Sequence, residues 1–327
     1  MVESRKIIVT GAAGFIGLHL CKALQLHGFR VIACVRNTEE SLALPTGVEL
    51  RVLGILDSKT NWDSVLEKGD IIVHLAGRAH VLHETSKDPL TEFRAINRDV
   101  TKTLALACAR KRVSRLVFLS SIGVNGSATA DRPFSEADIP APIEPYAVSK
   151  WEAEQEIAVI GHEQGLAFTI IRPPLVYGPG NPGNFLRLLR LAASGLPLPL
   201  ASFENRRSMI FVRNLVDAVI VSMVSPTAIN KTYVVSDRQD VSTSELLVFI
   251  RGKLGMSPRL FWCPTVLVHA AASLAGFAAA FEKLAGTLLV DCSKLKSELG
   301  WEPPFSLSTG LTETAKWYTD ERLRHKG

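Results

Sequence analysis

Thr10-Gly11-Ala12-Ala13-Gly14-Phe15-Ile16-Gly17 decides the fold. It follows Lys6-Ile7-Ile8-Val9, a continuous apolar run that reads as a strand covered on both faces, and it opens into Gly14–His27, where apolar residues recur at three and four as in a helix. Gly11 lets the chain turn tightly, Gly14 lets a diphosphate approach the backbone, and Gly17 lets the helix pack close on the strand. The free N–H groups and the positive end of the helix dipole face the same point. A glycine triplet between a first strand and a first helix therefore reads as a dinucleotide site, with Phe15 and Ile16 opening the helix.

Working outward, Arg30–Arg36, Glu49–Leu53, Asp70–Leu75, Arg115–Ser121 and Ala167–Arg172 are further strands. Helical patterns lie between them at Asn61–Glu67, Leu90–Arg112 and Tyr146–Gln164. The alternation predicts an α/β fold with a Rossmann-type, doubly wound parallel sheet. From Pro173 onward, Pro and Gly punctuate the chain, as in Gly178-Pro179-Gly180-Asn181-Pro182-Gly183. A helix at Arg213–Val224 and a strand at Thr232–Ser236 return to the sheet, and Ser242–Leu254, Pro264–Leu284 and Ser308–Leu323 are helical. The expectation is a cofactor domain of residues 1–173 plus 208–238 and a smaller, discontinuous substrate lobe of 174–207 plus 239–327.

The 327 residues are 47% hydrophobic and 21% charged, which excludes disordered and collagen-like chains. The five cysteines form no CxxC pair and read as reduced thiols, with no metal site. Met1–Lys6 lacks the order of a signal peptide, so the reading is cytoplasmic. The net charge of +5 is spread among interspersed residues and does not argue for nucleic acid. A local basic cluster, Arg206, Arg207 and Arg213 with Arg187 and Arg190 before it, suits a small anion instead. Leu260–Phe281 carries no formal charge, but its Ala-rich composition and Pro264 at the start read as a helix buried in the second lobe, neither a membrane span nor a peripheral contact.

Two further groups carry chemistry. Arg36 ends the second strand where NAD-binding folds place a carboxylate for the ribose; a guanidinium there pairs with a 2′-phosphate, so NADP is the expected cofactor, with NAD the alternative. Ser120 and Ser121 end the fifth strand, and Tyr146-Ala147-Val148-Ser149-Lys150 follows. Four residues apart on a helix, Tyr146 and Lys150 share a face, and an ammonium beside a phenol that otherwise titrates near ~10 favours its ionised form.

On these residues the chain resembles the extended short-chain dehydrogenase/reductase superfamily, in its nucleotide-sugar epimerase, dehydratase and 4-ketoreductase group. The matching pieces are Thr10–Gly17, His74-Leu75-Ala76-Gly77, Asn97, Phe118–Ser121, Tyr146-x-x-x-Lys150 and Arg172–Pro179, spread over nearly the whole chain. The resemblance implies that Ser121, Tyr146 and Lys150 are catalytic. It further implies that Leu75, Ala76 and Gly77 run along the cofactor, that Ser120 and Pro173 line its nicotinamide side, and that Asn97 supports the cofactor or the lysine. Asn184, Leu200 and Arg207 fall where relatives contact a sugar diphosphate and its base, alongside Ser121 and Tyr146. It also implies a homodimer through the helices of Leu90–Arg112 and Tyr146–Gln164.

The chain departs from the family at Val35-Arg36, at Ile55, where an aspartate often meets adenine, and at Asn125, where many relatives carry a tyrosine. No arginine stands just before Leu288, and Ser121-Ile122 lacks the Asp-Glu pair of the dehydratases. The expected chemistry is hydride exchange at C4 of a UDP-linked sugar. The first reading is reduction of a UDP-4-keto-6-deoxy-N-acetylhexosamine for surface polysaccharide. The alternative is a UDP-hexose 4-epimerase, and a further one a non-catalytic NADP(H)-binding sensor.

Overall fold

The computed structural model describes residues 6–79, 86, 88–274, 281–282 and 285–324. Six parallel pairings join seven strands in the order β3-β2-β1-β4-β5-β6-β9. These are β1 Lys6–Thr10, β2 Arg30–Val35, β3 Glu49–Val52, β4 Ile71–His74, β5 Arg115–Leu119, β6 Phe168–Arg172 and β9 Lys231–Val234. The doubly wound sheet expected from the alternation is thus present. The chain leaves β1 toward β2 on one side and reaches β4 on the other, so a crevice opens at the carboxyl ends of β1 and β4, where such sheets bind ligands.

Strand side chains alternate between the two faces. Ile7 and Val9 pack with Leu20 and Leu24 of α1 (Phe15–Leu26) and with Leu215 and Val219 of α6 (Val212–Val224). Ile8 and Ile32 face the other way, onto Leu104 and Cys108 of α3 (Val100–Lys111) and Ile157 of α4 (Pro145–Gln164). All five cysteines are free, and four of them are buried.

Beyond β6 the structure supplies elements the periodicity did not resolve. Three-residue strands β7 (Leu175–Tyr177) and β8 (Met209–Phe211) pair in parallel outside the main sheet, and α5 (Asn184–Ala193) lies between them in sequence. With α7 (Thr243–Lys253) they enclose a separate apolar cluster containing Tyr177, Phe185, Leu189, Phe211 and Leu247. The buried Asp237 ties this region to α6: its carboxylate accepts from Tyr177 Oη at 2.8 Å, Asn214 Nδ2 at 2.7 Å and the Phe211 amide at 3.0 Å.

Three expectations change. Asn61–Glu67 is no α-helix but a single 3-10 turn at Trp62–Ser64, too short for the periodicity read into it. Leu90–Arg112 is broken: α2 (Pro89–Phe93) passes through a π-helical stretch at Arg94–Asp99 before α3. The apolar run from Leu260 is not buried: α8 (Thr265–Leu274) has no buried residue, because only its Val268 side packs on the second cluster. Residues 275–280 and 283–284 of that run, like 1–5 at the start of the chain, lie outside the described residues. No helix among the described residues is long and apolar enough to cross a membrane.

Candidate active site

The glycine turn is shaped by contacts that leave no room for a side chain. Gly11 adopts φ +67°, and a Cβ there would stand 2.8 Å from the Ala76 amide nitrogen; a Cβ on Gly17 would stand 2.2 Å from the Gly11 carbonyl oxygen. Gly14 caps α1 without any side-chain hydrogen bond, so the first amides of the helix stay open toward the crevice. Phe15 and Ile16, half-buried, turn back onto the second apolar cluster.

At the far end of the crevice, Ser121 Oγ accepts from the Gly123 amide at 3.1 Å, and a Cβ on Gly123 would lie 3.4 Å from that oxygen and 3.2 Å from Ala147 Cβ. Ser121 therefore sits against the first turn of α4, which carries Tyr146. The Tyr146 ring packs edge-on to Phe93, and Lys150 Nζ lies 4.2 Å from the centre of the Phe118 ring. Gly77 joins the group: a Cβ there would be 3.0 Å from Asn97 Oδ1 and 3.7 Å from Lys150 Nζ. Ser120 Oγ is buried with no hydrogen-bond partner, and the buried Pro173 carbonyl accepts from Ile122 N at 2.9 Å. The open amides of α1, the glycine cradle and this unpartnered hydroxyl fit a nicotinamide dinucleotide laid from Gly14 to Ser120.

A directional chain of hydrogen bonds links the two ends. The Ala76 amide donates to Thr10 Oγ1 (3.3 Å), whose hydroxyl is left to donate to His74 Nδ1 (2.7 Å). His74 Nε2 meets Thr101 Oγ1 (3.0 Å), and that hydroxyl donates to the Asn97 carbonyl (2.6 Å). The sequence of donors assigns the proton of neutral His74 to Nε2. Burial agrees, pushing the imidazole down to about 3, with the Lys150 charge acting in the same direction. Asn97, fully buried within the π-helical stretch, accepts the Arg78 amide at 2.8 Å and donates to Ser149 Oγ at 3.0 Å, which donates to the Tyr146 carbonyl at 2.7 Å. Thr10, Thr101 and Ser149 were not singled out by the sequence reading; Ser149 lies inside the Tyr-to-Lys spacing, but nothing local marks its partner.

The electrostatics differ from the expectation that Lys150 acidifies Tyr146. Burial pushes the Tyr146 phenol up to about 12 and the Lys150 ammonium down to about 7, the latter opposed by Glu154 one turn along α4. With both groups withdrawn from water, desolvation favours the neutral form of each. Glu154 is buried and forms a forked pair with Arg172 Nε (2.9 Å) and Nη2, while Arg172 Nη1 donates to Asn125 Oδ1 at 3.0 Å. Asn125 thus serves this network and donates to the Ser135 carbonyl at 2.7 Å.

At the adenosine end, Arg36 is exposed and held by Glu40, whose carboxylate accepts from the Arg36 amide at 2.9 Å and from Nε at 2.5 Å. Ile55 is 82% exposed, and Asp57, the conceivable substitute, is engaged with the Lys59 amide at 2.8 Å in its own turn. On the substrate side, Asn184 is exposed at the start of α5, whereas the Leu200 side chain is buried in the apolar cluster, so only its backbone can pass a ligand. Arg207 is half-buried; its main chain pairs with Val241 and Leu288 and its Nη1 donates to the Gly286 carbonyl at 3.0 Å. The basic cluster does not converge as a unit, because Arg213 pairs with Glu313 at 2.8 Å and stacks on Phe305.

The chain is similar to known proteins over most of its length. The family model described as NAD dependent epimerase/dehydratase family matches residues 7–236. A UDP-glucose 4-epimerase of Vibrio cholerae is 35% identical over 98% of this chain and 97% of its own. The N-acetyl-alpha-D-glucosaminyl-diphospho-ditrans,octacis-undecaprenol 4-epimerase of Escherichia coli O157:H7 is 24% identical, covering 95% of this chain and 94% of its own. The solved structure of MoeE5 in complex with UDP-glucose and NAD superposes with a TM-score of 0.77 at 26% identity, covering 97% of this chain and 99% of that one.

Proposed function

From the premise that this chain belongs to the NAD-dependent epimerase/dehydratase family, and is a nicotinamide-dependent enzyme, we propose that it carries out oxidoreduction at C4 of a UDP-linked hexose as a 4-epimerase. What carries the proposal is that Ser121 lies against the turn of α4 bearing Tyr146, that Lys150 lies beside Gly77 and that the buried Ser120 hydroxyl has no partner, on a chain 35% identical to a UDP-glucose 4-epimerase. A nicotinamide held along the crevice would supply the hydride chemistry at C4, accepting hydride and then returning it with no net change in the cofactor. Tyr146 moves the proton on the C4 oxygen, and Ser121 holds that oxygen by a hydrogen bond. Lys150, titrating near 7, is partly charged at neutral pH, and its charged form favours the phenolate. Asn184 and Arg207 would meet the diphosphate. The division at residues 173/174, 207/208 and 238/239, and a homodimer through α3 and α4, belong to the same proposal.

Net reduction of a UDP-4-keto-6-deoxy-N-acetylhexosamine is the second reading, favoured by Arg36 at the end of β2, since such reductions draw on NADPH. The Glu40 carboxylate now weighs against it: a 2′-phosphate has to displace an acid already hydrogen-bonded to that guanidinium. One experiment separates the readings. Purified protein that interconverts UDP-glucose and UDP-galactose, or their N-acetylated forms, without added reductant supports the epimerase. Stoichiometric NADPH consumption with the 4-keto sugar and no interconversion supports the reductase instead; neither reaction, with cofactor still bound, rejects both.

A further inference from the structure

The stretch 260–281 contains no Asp, Glu, Lys or Arg, and its described part is displayed rather than packed away. Phe261 is 48% exposed, Trp262 71%, Val266 75%, Leu267 60% and Leu274 91%. Other exposed apolar side chains, such as Leu26, Leu42 and Ile139, are distant in sequence and stand on separate elements. An apolar surface gathered on one short helix and the loop leading into it marks a contact face.

Its placement is specific. The chain before α8 is stitched to the segment 198–202: the Leu198 amide donates to the Arg259 carbonyl at 3.0 Å, the Phe261 amide to Leu198 O at 3.0 Å, and Ser202 Oγ to Cys263 O at 2.6 Å. On the far side, Arg207 Nη1 and the Ser208 amide meet Gly286 O and Leu288 O. Both ends of the apolar excursion are therefore pinned to the strip running from Leu198 to Ser208, which borders the candidate substrate site. The flanking charges lean to one sign. Arg259, Arg206 and Lys253 are exposed at or near these pinned ends, with half-buried Arg207 and buried Arg251 behind them, and Arg259 Nη1 reaches the Gly195 carbonyl beside the 61% exposed Leu196; Glu204, Glu245 and Glu282 are the opposing acids.

We infer that the surface formed by Phe261, Trp262 and α8 docks on the face of a lipid bilayer with anionic headgroups. Apolar side chains ending in an exposed tryptophan suit the boundary between headgroups and acyl chains, and neighbouring cations suit anionic phosphates. A second copy of the chain fits less well, because a two-fold contact centred here sets the same cations against one another. The inference rests on exposure and charge alone and is independent of which C4 reaction the enzyme performs.

The test is sedimentation of the full chain with phosphatidylcholine vesicles and with vesicles containing phosphatidylglycerol, over a salt series. Expected are binding to the anionic vesicles, weakened by salt, and a loss of about tenfold or more in Val266→Ser/Leu267→Ser and in Trp262→Ser. Leu26→Ser, on α1, should bind as the parent does. On the unaltered protein, brominated lipid should quench tryptophan fluorescence, which keeps the test open if a variant misfolds. Absence of vesicle binding and quenching overturns the inference. So does a concentration-dependent dimer that Val266→Ser/Leu267→Ser abolishes. Vesicle binding by a protein inactive on every UDP-sugar tried defeats the proposed reaction and leaves the docking surface standing.

Discussion

One wall of the crevice, from Thr10 to Ser149, is held by a series of hydrogen bonds among buried side chains that passes through the Asn97 carbonyl and ends on the Tyr146 carbonyl. The opposite wall, from Leu198 to Leu288, is held by main-chain pairing and by side chains bonded to main chain, and carries a helix with no buried residue. The difference teaches where each kind of precision is needed. A proton moves between atoms whose placement must hold to fractions of an ångström, and side chains locked by packing provide that. A wall that accommodates a sugar diphosphate and borders an exposed apolar face needs shape and accessibility more than fixed polar geometry.

The comparison can be broken most severely at Tyr146. Tyr146→Phe should lower turnover by ~10²–10⁴-fold while cofactor titration stays close to that of the parent; unchanged turnover would remove the phenol from the mechanism. Next comes the buried pair behind Lys150. Glu154→Ala leaves Arg172 uncompensated and should cost about 3–5 kcal/mol by denaturant unfolding, whereas a double replacement by apolar residues of matching volume should recover much of it. Gly17→Ala should cost about 1–3 kcal/mol and weaken cofactor binding, because its Cβ meets backbone that cannot yield cheaply. By contrast, Leu267→Ser on the opposite wall should change stability by no more than about 0.5 kcal/mol.

Lys150 gives the comparison a pH signature. The group titrates near 7 in the folded chain against 10.5 in its ordinary state, so between those values the unfolded chain binds more protons. Stability should rise with pH across that window, with the full burden of the buried ammonium present below it. Lys150→Met should flatten this part of the profile, measured as unfolding midpoints from pH 6 to 10; an unaltered slope would assign the titration to another group. The smallest effect is expected at the adenosine end. Glu40→Gln should improve NADP binding relative to NAD by several-fold, since it frees Arg36 from an acid without removing the side chain's bulk.

How much was legible beforehand follows from the range of the interactions. The glycine turn and the Tyr146-to-Lys150 spacing are local: a tight turn, a helix N-terminus and a four-residue repeat are imposed by nearest-neighbour geometry. The central strands of the main sheet were readable because residues buried on both faces must be apolar almost without interruption, whereas β3 at its edge is largely exposed. β7, β8 and α5 were obscured by Pro and Gly, and the three-residue strands exist only because each has the other to pair with. Arg36 looked like a phosphate ligand until Glu40, one turn away, was seen to hold it. Asn125 looked like a substituted substrate contact, but its partner Arg172, 47 residues on, ends the neighbouring strand β6.

The sequence by itself determined that β1, its glycine turn and α1 form a tight strand–turn–helix and that one phenol and one amine share a helical face, since these depend on residues within a few positions of one another. Only the tertiary structure decided that His74 is neutral and joins the two ends of the crevice, that burial sets Tyr146 and Lys150 near 12 and 7, and that the apolar run after Leu260 faces outward. Each of those outcomes turns on which distant groups exclude water from a side chain, and exclusion of water is a property of the packed whole.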